Sequence, residues 1–357
     1  MKTLALVMCV KNEEKGLEKC ILSCKDFVNY IVIAIDKTSD DGTEEIAKKY
    51  ANEVKYFDFE DDFAKIRNFA HEGVKQDWIL SLDGHEFIEK HDRLEEMLET
   101  DADGLICTMV QENDSTFRNA KIYKTGVQYE GRVHEFVVCK KPIVYADFVI
   151  RHDRVHGQTS HGAALRDAQR VGQVPRIMGE EYRKNKKNVT ATLHLGMYNQ
   201  GMGNFWEAIK WYKRTLKYDK YGGQRWWELF NMSLCYLALG KHFRAFWYVE
   251  RAERALVHTW EVQKLKGMIY FAAGKYEKAL DCLIESFHQN RLDQPYKPWG
   301  RDNAGTWNLI GECFFRGGKY LEAGIAFGKA AKECENEDAK VFFQKRSELM
   351  EKMSQEK

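Results

Sequence analysis

The sequence predicts an α/β domain built on a mixed, mainly parallel sheet, followed by an all-α solenoid of helical hairpins. Up to about residue 150, short apolar runs alternate with segments of helical spacing. Beyond about residue 163 strand signals nearly vanish, and a self-similar period replaces them. A chain of 357 residues is also too long for one small core and suits two. The expected division is an α/β domain over 1–162, a helical linker over 163–190 and a repeat domain over 191–357.

Thr3 to Val10 reads as the first strand, and Leu17, Cys20, Ile21, Cys24 and Val28 then fall at helical spacing. Tyr30 to Ile35 is almost continuously apolar, as a central parallel strand buried on both faces requires, and Thr43 to Tyr50 follows as a helix. Val54 to Phe59 is a third strand. Phe63, Ile66, Ala70 and Val74 mark one side of a helix over Phe63 to Val74, and Trp78 to Leu82 is a fourth strand. This alternation predicts a doubly wound sheet. After Gly104 the runs GLICTMV, FRNAKIYK, VHEFVV and IVYADFVI leave no room for crossover helices, so they are expected as antiparallel additions.

In the second half, Gly203, Gly240, Gly274 and Gly318 are spaced by 37, 34 and 44 residues, and each is followed five residues later by Ala208, Ala245, Ala279 or Ala323. Seven residues before them stand Gly196, Ser233, Gly267 and Gly311. Trp307, Ile310, Gly311 and Phe314 fit the tetratricopeptide pattern, whose unit is a helical hairpin of about 34 residues. The longest spacing carries an insertion around Gln294 to Gly300 with two of the four prolines, expected as an ordered loop and contact surface. Eight of the nine tryptophans lie from Trp206 onward, and seams between hairpins account for them better than sugar or peptide stacking does. The charged stretch Glu333 to Lys357 reads as a capping helix.

Composition excludes several classes. With 44% hydrophobic residues the chain is not disordered, and 55 Lys+Arg against 54 Asp+Glu give no general drive toward nucleic acid or anionic membrane. No apolar run approaches the roughly eighteen residues of a membrane helix. The first apolar run ends at Lys11-Asn12-Glu13-Glu14 with no cleavage site, so it is a strand rather than a signal peptide. Nine scattered cysteines fit buried thiols in a reducing, cytoplasmic setting, and Cys20 with Cys24 lacks the second pair a metal site needs.

Ligands of open α/β sheets sit at the carboxyl ends of the strands, and here those ends are acidic. The second strand delivers Asp36 and the fourth delivers Asp83, in Leu82-Asp83-Gly84-His85-Glu86. A carboxylate that ends an apolar strand has few structural reasons to be there. Asp40 and Asp41 stand where they either join that site or cap the following helix, and Lys37 reaches either a phosphate or solvent. The chain has neither a GxGxxG after its first strand nor a GxxxxGK[ST], so a diphosphate would need a metal.

Five segments together, Val10-Lys11-Asn12-Glu13-Glu14, Asp36 to Thr43, Asp62 to Asn68, Leu82 to Glu86, and Tyr129-Glu130-Gly131-Arg132-Val133-His134-Glu135, resemble a family 2 glycosyltransferase of the GT-A fold. The resemblance extends to the bacterial and phage branch with C-terminal tetratricopeptide repeats and covers essentially the whole chain. It implies that Asp36 reads the base or ribose, that Asn12 and Glu13 line the same pocket, and that Arg67 lies near base and diphosphate. Asp83-Gly84-His85 takes the place of the metal-binding Asp-x-Asp triplet, with histidine at the usual second acid, so Asp83 and Gly84 are also expected to bind the nucleotide-sugar, Asp83 at the ribose. Asp83, His85 and His152 are then the expected metal ligands, and Glu86 is the rival to His85. Imidazole ligation favours Mn²⁺, with Mg²⁺ the alternative. His156 and His161 stand as loop residues or as acceptor contacts.

The resemblance also places the base of the reaction at Glu135, with His134 as its substitute; the structural alternative is a carboxylate paired with Arg132 or His134. The expected function is metal-dependent, inverting transfer of a sugar from a nucleotide-diphosphate donor, a UDP-sugar in the first instance, to a saccharide or polypeptide held partly by the repeats. The same repeats can serve homodimerisation. The rival from another class is a non-catalytic scaffold that binds nucleotide-sugar. A nucleotidyltransferase is disfavoured because Lys11 to Gly16 is too acidic for a triphosphate loop, and no facing carboxylate pair marks a glycosidase.

Overall fold

A computed structural model describes residues 2–111, 116–152, 160–219, 225–255, 260–288, 303–334 and 336–355, with only the backbone helix described over 160–171. The chain divides into two compact units, the first running to Ile177 and the second beginning at Met178. Among the described residues no helix is long and apolar enough to cross a membrane.

The first unit opens with the alternation read from the sequence: β1 (Leu4–Val10), α1 (Glu14–Leu22), β2 (Tyr30–Asp36), α2 (Thr43–Tyr50), β3 (Glu53–Phe57), α3 (Phe63–His71) and β4 (Trp78–Leu82). Then come β5 (Glu86–Lys90), α4 (Leu94–Leu98), β6 (Gly104–Val110), β7 (Thr116–Lys124), β8 (Gln128–Glu130), β9 (Phe136–Val138) and β10 (Ile143–His152). Eight strands form one sheet in the order β3-β2-β1-β4-β7-β6-β10-β5, and β8 and β9 form a separate ribbon. Strands β3, β2, β1 and β4 are parallel neighbours. In β1, β2 and β4 the side chains are buried on both faces, whereas the edge strand β3 buries only Phe57; each fully buried Val, Leu or Ile contributes about 1.5–3 kcal/mol.

Two expectations for the later strands need correction. β10 runs parallel to β6, not antiparallel, because β7 and the β8–β9 ribbon lie between them in the chain and return it to the starting edge. Of the run VHEFVV only Phe136–Val138 is a strand, and it pairs with β8 outside the main sheet. β5 went unread because three of its five residues are charged, yet it pairs antiparallel with β10 and sets His152 opposite Glu86.

α5 (Ser160–Lys184) contains the division between the units. The second unit is helical: α6 (Val189–Gly201), α7 (Phe205–Tyr218), α8 (Arg225–Ala238), α9 (His242–Ala255), α10 (Trp260–Ala272), α11 (Tyr276–His288), α12 (Asn303–Arg316), α13 (Tyr320–Glu333) and α14 (Glu337–Gln355). Gly203, Gly240, Gly274 and Gly318 all take positive φ, between 67° and 75°, and end the first helix of each hairpin. At each of these ends the next residue's N–H reaches back to a carbonyl five residues earlier, as from Lys275 to Tyr270 O at 2.9 Å, which closes a Schellman cap. The small residues seven positions earlier let the second helix approach. A Cβ on Gly311 would lie 2.5 Å from the Phe327 ring, and Ser233 Oγ donates to Ala245 O at 2.7 Å. Ala208, Ala245, Ala279 and Ala323 are fully buried at the same seams. The stretch Gln294 to Gly300 lies outside the described residues.

Candidate active site

The strand order reverses between β1 and β4, so the crevice of this sheet opens where β1 and β4 end. The loops after these strands touch. A Cβ on Gly84 would sit 2.7 Å from Glu13 Cβ, and one on Gly16 would sit 2.7 Å from Gly84 O, so only glycine permits this approach. Asn12, with φ of 53°, turns the chain out of β1 and is tied across to the loop after β2. Its N–H donates to Ser39 Oγ at 2.9 Å, its Nδ2 donates to Asp40 Oδ1 at 2.7 Å, and Asp40 N–H returns a bond to Asn12 Oδ1 at 3.0 Å.

Asp36 ends β2 and is buried. Its Oδ1 accepts Thr38 N–H at 2.8 Å and Thr38 Oγ1–H at 2.6 Å, and Lys11 Nζ stands 3.5 Å from Oδ2. Burial opposes its charge, but the Thr38 bonds and Lys11 outweigh burial and hold the carboxyl below its usual range. Asp41 accepts the N–H groups of Thr43 and Glu14 and thereby serves the starts of α2 and α1, which is the capping alternative. Lys37 pairs with the exposed Asp58 at 2.6 Å.

A second, denser network lies at the end of β4. Arg67, projecting from α3, donates from Nε to Glu135 Oε1 at 2.7 Å, from Nη2 to Asp83 Oδ1 at 3.1 Å and from Nη1 to Ser81 Oγ at 3.3 Å. One guanidinium thus joins the two carboxylates that the sequence nominated for different tasks. The segment bearing Glu135 is anchored on the same helix. Asn68 exchanges bonds with the backbone of Tyr129 at 2.8 and 3.0 Å, and Phe63 N–H donates to Arg132 O at 2.8 Å. Gly131 and His134, both with positive φ, turn the chain so that Glu135 faces Arg67 while His134 is exposed. The partner of Glu135 is therefore Arg67 rather than Arg132 or His134.

His85 lies between the loops. Its Nδ1 is 3.2 Å from Glu13 Oε1 and its Nε2 is 3.0 Å from Nε2 of His152, the two rings being nearly perpendicular at 82°. His152 is the last residue of β10 rather than a residue beyond it. Two imidazole nitrogens bound cis to one metal at about 2.1 Å would stand roughly 3.0 Å apart, and a carboxylate on the far ring nitrogen orients such a ligand. The spacing is that of an N–H···N hydrogen bond and equally that of two imidazole ligands held cis by one cation, and among the described residues no group of three or more His, Cys, Asp or Glu side chains gathers for a metal. His156 lies outside the described residues, as does the side chain of His161.

Glu86, the rival ligand, is engaged elsewhere. It is 2% exposed, accepts Asp83 N–H at 2.9 Å and binds Lys121 Nζ at 2.7 Å. Lys121 is also 3.7 Å from Asp83 Oδ2. Burial opposes the charge on Asp83, yet Lys121, Arg67 and His85 together hold its carboxyl well below the usual range. Lys121 was missed in the sequence. The available signal was a lysine inside the otherwise apolar run Ala120 to Tyr123.

The eight-stranded mixed sheet with an acidic switch point is that of the GT-A class of nucleotide-sugar transferase fold. Residues 5–167 match the family model described as Glycosyl transferase family 2. The chain is 29% identical over 92 residues to the SPbeta prophage-derived glycosyltransferase SunS of Bacillus subtilis strain 168, covering 26% of this chain and 22% of that protein. It is 36% identical over 86 residues to a TPR repeat-containing protein of Synechococcus elongatus, covering 24% of this chain and 21% of that one. The matches thus span about a fifth of the length of these relatives. Among solved structures, a thermophilic TPR protein of Thermus thermophilus is similar at a TM-score of 0.40 and 18% identity, over 52% of this chain and 95% of that one.

Proposed function

We propose that the chain is an inverting, metal-dependent glycosyltransferase that moves a sugar from a nucleotide-diphosphate donor, a UDP-sugar, to a saccharide or polypeptide acceptor. The observation that carries this reading is the single guanidinium of Arg67 shared by Asp83 and Glu135 beside the His85–His152 pair. Asp36 and the Asn12–Glu13 loop take the nucleoside, and Asp83 and Arg67 take the ribose and diphosphate end. Glu135 keeps Oε1 on Arg67, so Oε2 is the oxygen placed to accept the proton of the acceptor hydroxyl as that oxygen attacks the anomeric carbon. His85 and His152 would hold the cation, Mn²⁺ before Mg²⁺, with Glu13 fixing the ring of His85. Such a cation, when bound, neutralises charge developing on the departing diphosphate. The repeat unit is assigned the acceptor or a second copy of the chain.

The test is thermal stabilisation of the protein by a panel of nucleotide-sugars, with and without Mn²⁺, since a ligand bound only by the folded state raises Tm by mass action. A UDP-sugar shift that requires Mn²⁺ and is lost in Asp83→Ala is the expected result. Absence of any shift with every donor would overturn this reading, and a shift with no turnover of the donor would favour the scaffold that only binds nucleotide-sugar.

A further inference from the structure

Lys121 is the charged group of the first unit whose burial is hardest to explain by folding alone. It lies on β7 in the middle of the eight-stranded sheet, and its side chain is 7% exposed. Ile122 faces Leu105 and Ala120 faces Ile106, so Lys121 is the extra residue of the ladder between β7 and β6. The β4 ladder also stops at Ile122. A bulge turns a side chain away from strict alternation, and such bulges gather beside active sites. Here it directs the ammonium along the sheet to the end of β4. A lysine in regular register at this depth would have met the apolar layers that take Ile122 and Tyr123.

The ammonium meets two carboxylates. Glu86 Oε2, at 2.7 Å, is as buried as Lys121 and also accepts Asp83 N–H, while Glu86 N–H donates to Asp83 O at 2.9 Å, so the Asp83–Glu86 turn is closed from both sides. Asp83 Oδ2, at 3.7 Å, belongs to a side chain that is 30% exposed. Arg67 occupies the other oxygen, Oδ1. Each oxygen of Asp83 thus has its own cation, which fixes the plane of the carboxylate. One cation comes from α3, its side chain 13% exposed, and the other from inside the sheet, its side chain 7% exposed.

We infer that Lys121 is a positioning residue of the donor site: placed by the β7 bulge and anchored on Glu86, it holds the orientation in which Asp83 meets the nucleotide-sugar. The inference rests on the donor-site reading of Asp83 given above. The plainer alternative is that Lys121 only neutralises the buried Glu86. The two differ in what happens when both charges are removed together, since a buried pair replaced by neutral groups often keeps its stability whereas one partner left alone does not.

The test compares wild type, Lys121→Met, Glu86→Gln and the double variant Lys121→Met/Glu86→Gln in the full chain. Tm is read without ligand, and the affinities of UDP-glucose and UDP-N-acetylglucosamine with MnCl₂ are read by titration calorimetry. The carboxamide in Glu86→Gln keeps an acceptor for Asp83 N–H. The expected pattern is a fall in Tm in Lys121→Met that the double variant recovers, with affinity at least tenfold below wild type in both. Glu86→Gln, which retains the ammonium beside Asp83, stays within about threefold of wild type. A double variant with wild-type Tm and wild-type affinity would overturn the inference and leave Lys121 as a counter-ion. Wild type that binds neither probe while remaining folded would instead overturn the donor-site reading, and the inference with it.

Discussion

The two units differ in how densely they cluster buried charge. In the α/β unit the buried charges are paired and concentrated where β4 ends: Arg67 with Asp83 and Glu135, and Lys121 with Glu86. In the helical unit polar burial mostly serves packing at helix crossings, as where Ser233 meets Ala245 O, Thr215 Oγ1 donates to Thr192 Oγ1 at 3.0 Å, and Ser286 bonds the carbonyl of its own helix. Exceptions include Glu228, whose Oε2 has no hydrogen-bond partner, and Lys266, which pairs with Glu250 at 2.9 Å and Glu253 at 2.6 Å. Local Ser and Thr bonds cost little and say little about ligands. A network of four or five charges survives burial only if its geometry is tight, so its presence locates chemistry in the first unit.

The sharpest contrast lies between two guanidinium groups. Arg67 satisfies two carboxylates and Ser81 at the crevice, whereas Arg346 of α14 pairs with Glu312 at 2.5 Å and lies 4.0 Å over the Phe327 ring, fastening the last helix. Arg67→Met leaves Asp83 and Glu135 without their shared cation. It is expected to lower sugar transfer at least 100-fold and stability by about 3–5 kcal/mol, read by kinetics and urea unfolding. Arg346→Met is expected to cost about 1 kcal/mol and to leave donor affinity unchanged. Equal effects on donor binding would break the contrast.

The same difference explains what could be read in advance. The repeat unit was legible to the residue because each hairpin restates its needs: a glycine at positive φ to end one helix, a small residue where the helices touch and an alanine at the seam. The βα half was legible because parallel strands buried on both faces are nearly unbroken apolar runs. β5 and the direction of β10 were hidden, since a strand with three charges has no alternation signal and pairing direction depends on where the chain returns. Within the site, Asp36 and Asp83 announce themselves as acids that end apolar strands. Lys121 and the hold of Arg67 on Glu135 are long-range contacts set by a bulge and a turn, and no local pattern encodes them.

Close helix approach is testable in the repeats. Gly311→Ala forces a methyl group to within 2.5 Å of the Phe327 ring, which is itself fully buried, so the helices must part. Overpacking of this kind costs about 1–3 kcal/mol, and the better helix propensity of alanine returns up to about 1. A net loss of about 2 kcal/mol by urea unfolding is expected. Gly179, inside α5, has nothing within 4 Å of the added Cβ, so Gly179→Ala is expected to stabilise by roughly 0.5–1 kcal/mol. If both substitutions stabilise, the seam glycines are not contact residues.

The smallest effect concerns Glu228, a buried carboxylate of the helical unit whose Oε2 makes no hydrogen bond. Burial, reinforced by Asp219, pushes its carboxyl up to about 7 against a weaker downward pull from its own backbone and Arg225. An acid with a folded pKa above its unfolded value binds more protons in the folded state between the two values, here from 4.5 to about 7. Stability from this group is therefore complete below about pH 4.5, falls as pH rises through 7 and is absent above. Glu228→Gln keeps the shape and removes the charge. It is expected to match wild type near pH 4 and to exceed it by on the order of 1–2 kcal/mol at pH 8, when urea unfolding is followed at both. A variant that is less stable than wild type at pH 8 would mean that the carboxylate has a charged partner when ionised, as Glu250 and Glu253 have in Lys266.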